Sequence, residues 1–189
     1  MLRAAFLLFL AILVSACSRH ATFIEAATDP ALSASKNDPI FVVLPNKPTI
    51  TERRLAPVLR SELCKNGFQV VNSQSSAKWV MGLVQDRHQF YGGASATTAV
   101  LPNIGIAKTT TTAEVVTNET IYLQLFDAQE FGLPDTLALW EASSTASTRV
   151  FQIYDKVMIK NALDYFGKNF AGRTRLSKEY LKASDDCAN

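Results

Sequence analysis

The order of apolar and polar positions along this chain sets out a series of elements. Ile40-Phe41-Val42-Val43-Leu44 is an unbroken apolar run between prolines, the pattern of a strand buried on both faces. Thr49 and Glu52 have capping-box spacing, and Leu55, Val58, Leu59 and Leu63 then recur on one helical face. Pro57 leaves two forms for this helix: one that kinks there, or one that begins there. Its stop is plainer. Gly67 suits the left-handed position, and Phe68 can fold back on Leu63. Phe68 to Val71 is a second strand, so strand, helix and strand form a βαβ unit with parallel strands.

Trp79 to Val84 is the third strand, and Gln85 to Gln89 extend it. In the fourth, Val115 to Phe126, Ile121, Leu123 and Leu125 alternate with Thr120, Tyr122 and Gln124, which buries one face. Asp127 to Asp135 turns the chain, and Leu137 to Ala142 returns as strand five. Phe151 to Phe170 is a second helix. Its stripes, Tyr154-Met158-Ala162-Tyr165 and Ile159-Leu163-Phe166-Phe170, are broad enough to lie flat on a sheet.

Two stretches lack an apolar period. Ser18 to Asp38 is rich in Ala, Ser and Thr and reads as a tether, about 25 Å long as a flexible coil. Tyr91 to Thr112 holds Gly92-Gly93, Gly105 and the run Thr109 to Thr112. Segments of that length without structure are functional or mobile, yet threonine favours strands. A projecting hairpin and a disordered insert both fit. The expected fold is α+β: a mixed sheet of about five strands, two helices on one face, and a long Gly/Thr-rich insert between strands three and four.

The apolar run from Ala4 to Val14 follows Arg3 and is too short for a membrane-spanning helix, which needs roughly 20 residues. Small residues follow it, and Val14-Ser15-Ala16-Cys17 resembles the bacterial lipobox, whose cysteine is lipidated after cleavage. Residues 1–16 are then a signal peptide, 17–38 a lipidated tether, 39–172 an α/β domain and 173–189 a charged tail. Two or more acyl chains on Cys17 hold a protein stably on a bilayer. In lipoproteins like this one, an aspartate after the cysteine retains the protein at the inner membrane; Ser18 therefore points to the outer membrane.

Composition narrows the chemistry. The leader takes one of the nineteen Lys and Arg and none of the seventeen Asp and Glu, leaving +1. That balance offers no basic field for nucleic acid. Of three cysteines, Cys64 and Cys187 remain after acylation of Cys17, and in an oxidising compartment they are expected to pair. No CxxC or Cys/His spacing suggests a metal, and the glycines form no phosphate-binding pattern. There is no GxSxG elbow, so no catalytic residue and no cofactor is expected. His88 and the turn acids Asp127, Glu130 and Asp135 read as solvated groups, and Trp79 and Trp140 as core. Arg173, Arg175, Lys178 and Lys182 give the tail a basic face.

The pieces FVVLPN, LCKNGFQVV, AKWVMGLVQ, YLQLFDAQE, LALWEASS and YDKVMIKNALDYF together resemble a widespread group of bacterial lipoproteins built on a domain of unknown function. The resemblance covers Asp38 to Phe170, and the layout is similar to curli-secretion and transport-auxiliary lipoproteins. The loop at Asp127–Asp135 is longer than the tight turn usual in that group. The resemblance implies a fold more than a role. The expectation is a non-enzymatic envelope module, facing the periplasm and held to the outer membrane through Cys17. Tyr91–Thr112 is its expected contact surface for a protein partner. The alternative is a carrier or sensor of a small apolar ligand or lipid.

Overall fold

The computed structural model describes residues 20–100 and 107–177, with side chains over 20–89 and 116–177. The elements in chain order are β1 (Ala21–Thr28), β2 (Pro39–Val43), α1 (Ile50–Lys65), β3 (Gln69–Val71), β4 (Trp79–Val100), β5 (Ala107–Asp127), β6 (Trp140–Ser147), α2 (Thr148–Leu163) and β7 (Phe170–Arg175). The strands form one mixed sheet in the order β3-β2-β4-β5-β6-β1-β7. β2 is parallel to β3 and β4, and the other pairs are antiparallel. The class is the expected α+β, but the sheet has seven strands rather than five.

The two extra strands lie in segments read as tether and tail. In β1, Thr22, Ile24 and Ala26 are buried while Phe23 and Glu25 are exposed, a period of two. Only Ile24 on the inner face is a large apolar residue, so the alternation is faint in sequence. Small residues are needed there. α2 lies over β6 and β1, and Ala142, Ser144, Ala146, Ala26 and Thr22 let it come close. Thr22 Oγ1 and Ser144 Oγ satisfy each other at 2.8 Å, and Thr22 also donates to the Thr145 carbonyl at 2.9 Å. Because β1 sits between β6 and β7, the folded body includes Ala21–Thr28, ahead of Pro39, and Arg173 and Arg175 belong to the sheet.

α1 starts at the expected capping box. Glu52 N–H donates to Thr49 Oγ1 at 3.1 Å, and Thr49 N–H to Glu52 Oε2 at 2.6 Å. The helix runs through Pro57. Pro57 and Arg53 are both exposed, so the carbonyl that loses its donor faces water rather than core. The stop is a Schellman turn: Gly67 has φ 91°, its N–H donates to the Cys64 carbonyl at 2.8 Å, and Phe68 N–H to the Leu63 carbonyl at 3.1 Å.

α2 ends at Leu163, seven residues short of its apolar pattern. The chain turns through Gly167 (φ 69°) into β7. The aromatic residues beyond Leu163 are still packed, but as a cap over the helix ends. Phe166 lies 5.0 Å from the Phe68 ring and 4.9 Å from that of Trp140, and Tyr165 stacks on Phe170 at 3.9 Å. Leu55, Leu59 and Leu63 join Tyr154, Met158 and Ala162 over the inner face of the sheet in one core. Fully burying one such side chain contributes about 2 kcal/mol. β2 differs from its expectation. Ile40 and Val42 are buried, whereas Phe41 and Val43 are only half-buried on the helix-free face.

Candidate functional site: the root of a projecting ribbon

β4 and β5 outlast their neighbours. β2 leaves β4 at Gly82, and β6 leaves β5 at Asn118. β4 and β5 continue together to Val100↔Ala107. Gln89–Val100 and Ala107–Thr117 thus form a two-stranded ribbon beyond the body, about 40 Å long at the usual strand rise. Over its described residues the insert takes the form of a projecting two-stranded ribbon; residues 101–106 lie outside the described residues. A register shift between Gly92 and Ser95 puts one extra residue into β4, as a bulge does. Neither outer edge of the ribbon has a strand beside it among the described residues.

The ribbon's root is fixed by two buried carboxylates. Glu52 is 3 % exposed; besides closing the cap of α1, its Oε1 accepts from Gln85 N–H at 2.9 Å. Glu119 is 1 % exposed; it accepts from Gln85 Nε2 at 2.5 Å, Arg87 Nε at 2.7 Å and Thr148 Oγ1 at 3.4 Å. Thr148 Oγ1 also donates to the Thr117 carbonyl at 3.1 Å. Gln85 therefore bridges both acids, and through them β4 is tied to the first turns of α1 and α2. An acid at a helix N-terminus is also favoured by the helix dipole. The arrangement is a rigid mount. It sets the ribbon's direction relative to the helices, and each of the four carboxylate oxygens it buries has a donor nearby. Beside it lies an open groove of about 560 Å³, between Arg87, Thr117, Arg149 and Gln152.

Sequence reasoning found the cap at Glu52 but not its second role, and missed Glu119. The partners of Glu119 come from β4 and α2, and no local spacing marks them. Elsewhere, Trp79 and Trp140 are core as expected. Their indoles donate to Asp38 Oδ2 at 2.9 Å and to the Tyr165 carbonyl at 3.2 Å. Burial alone would raise the Asp38 carboxyl. Trp79, the Ser35 N–H and Lys78 outweigh that and hold it at about 2. His88 Nε2 is 2.9 Å from Asp86 Oδ2 on the exposed face of β4. Asp127 Oδ1 caps the Gln129 N–H, and Glu130 and Asp135 are solvated in the same turn. Among the described residues no three His, Cys, Asp or Glu side chains converge. Cys64 lies half-buried in the last turn of α1. Cys17, Cys187, Lys178 and Lys182 lie outside the described residues. No described helix is long and apolar enough to cross a membrane.

No family model and no curated protein matches the chain. Among solved structures it is similar to a PelC dodecamer from Paraburkholderia phytofirmans, with 12 % identity over 75 % of this chain and 95 % of that one and a TM-score of 0.42. It is also similar to a PDZ domain protein from Parabacteroides distasonis, with 12 % identity, 87 % and 41 % coverage and a TM-score of 0.49. A minor lipoprotein from Acinetobacter baumannii gives 16 % identity, 69 % and 90 % coverage and a TM-score of 0.32. These likenesses are loose, and the reading that follows rests on this chain's own residues.

Proposed function

We infer that the protein is a non-enzymatic module of the cell envelope, lipid-anchored through Cys17 at the outer membrane and facing the periplasm, which works by protein–protein contact. The observation that carries this reading is the ribbon: a two-stranded arm on a rigid mount, with no strand beside either edge among the described residues. An isolated two-stranded hairpin is marginally stable in water, and open edges are sites for strand addition. Such an arm is maintained where something binds it. The lipobox at Val14–Cys17 supports the anchor. With β1 starting at Ala21, the anchor is short: the body sits close against the bilayer rather than clear of the headgroups.

Replacing Gly92–Thr111 by a short Gly/Ser link tests the reading. The thermal midpoint of the body is expected to stay within a few degrees, while protein crosslinks formed in the living cell are lost. Crosslinks that persist without the ribbon would place the contact elsewhere.

A further inference from the structure

The groove beside the ribbon's root lies in a corner on the helix side of the sheet. Arg87 and Gln89 reach it from β4, Val116 from β5, and Ser147, Arg149 and Gln152 from the passage of β6 into α2. Arg87 pairs across the ladder with Glu119, and Gln89 with Thr117, so both stand on the inner face, while Asp86 and His88 alternate onto the opposite one. The groove measures about 560 Å³, within the range of sites that hold a ligand of many atoms rather than one ion.

Its charge is of one sign. The charged residues that line it are both arginines. Glu119 accepts from Arg87 Nε, but that acid is 1 % exposed and stands behind the surface, whereas the Arg87 side chain is 61 % exposed. Arg149 is exposed, and among the described residues no acid lies within ion-pair distance of it. The uncharged lining narrows the class of ligand. Gln89 and Gln152 each present a donor and an acceptor, and so does the Ser147 hydroxyl, which makes no cap bond to α2. A phosphate offers acceptors only and would meet the two amide oxygens with its own charge. A peptide main chain offers N–H and C=O groups in alternation and uses both halves of each amide. Val116, 38 % exposed, adds an apolar contact.

On the reading that the protein works by contact at its ribbon, we propose that this groove seats an acidic segment of the partner protein, with Asp or Glu carboxylates on Arg87 and Arg149. A guanidinium and a carboxylate match as planar pairs with two parallel hydrogen bonds, about twice as strong as bonds between neutral groups. Arginine clusters recognise acidic motifs in this way. The mount fixes both arginines relative to the ribbon: Glu119 holds Arg87 on β4, and Thr148, the neighbour of Arg149, donates to the Thr117 carbonyl on β5. A segment in the groove is therefore presented to the ribbon in one orientation. Both arginines are exposed, so salt weakens the contact.

The test uses the full lipidated chain in the living cell, with a photo-crosslinking residue in place of Gln152. The expected result is a protein adduct whose mapped site lies in a segment rich in Asp and Glu. Arg149→Glu is expected to reduce that adduct at least about tenfold, as loss of a charge-assisted bond does. Arg149→Lys is expected to keep part of it, and Arg173→Glu on β7 to leave it unchanged. No protein adduct, an adduct to lipid or polysaccharide, or one mapped to a segment without acids would overturn the groove. Protein crosslinks that are lost on replacing Gly92–Thr111 but untouched by Arg149→Glu would overturn the groove and leave the protein-contact reading standing. Crosslinks unaffected by either change would overturn both.

Discussion

At the residue scale, the buried acids hold the account together. Glu119→Ala strips a buried acceptor from Gln85 and Thr148, which are half-buried, and from Arg87, which is exposed. It is expected to cost about 2–3 kcal/mol, or some 5–10 °C in thermal midpoint for a body of this size, with Glu119→Gln milder. Calorimetry checks it; no change would mean that the mount is solvated. Asp38 gives a pH signature. Its carboxyl titrates near 3.9 unfolded and is held at about 2 folded. A depressed value stabilises the fold above the unfolded pKa, and the gain disappears as pH falls through about 2. Asp38→Asn is therefore expected to cost about 1–2 kcal/mol at pH 7, with the gap closing between pH 4 and pH 2. Denaturant titrations across that range decide it; a constant gap would rule out the ionised form as the cause. The capping box and the two tryptophans were legible because their signals are local: a fixed spacing, and an indole within an apolar strand. Glu119 was not, because only folding brings its donors together.

At the element scale, strong apolar periods were read correctly and faint or continued ones were not. α1, β2 and β4 stood out. β1 was hidden because its inner face is built of small residues beneath α2. The apolar spacing overstates α2 because Tyr165 and Phe166, in the turn, and Phe170, at the start of β7, continue it. Correcting β1 changes what truncation does. A chain starting at Pro39 loses the strand between β6 and β7. It is expected to lose its cooperative thermal transition, where removal of a mere tether would leave it intact; a cooperative melt in the shortened chain would show that β1 is dispensable. The ribbon is the opposite case. Its described tie to a helix is at the root, from Thr148 Oγ1 to the Thr117 carbonyl, which replacing Gly92–Thr111 leaves in place, so the body is expected to be spared.

At the scale of the whole molecule, the pairing ladder decides which elements share an end of the body. No periodicity shows that residues 21 and 89 share an end of the body; that follows only from β1 pairing with β6 and β6 with β5. The Cys64–Cys187 pair belongs to this scale too. It would close a loop of about 120 residues, stabilising by at most about 5 kcal/mol. Thiol titration of the oxidised, denatured protein is expected to find neither cysteine reactive, and two reactive thiols would exclude the bridge. The central claim is that this anchored body acts through its ribbon. The most direct measurement is protein crosslinking of the full lipidated chain in the living cell, beside that of the chain with Gly92–Thr111 replaced. The account predicts protein crosslinks for the intact chain and their loss in the shortened one. Equal crosslinking of the two would contradict it.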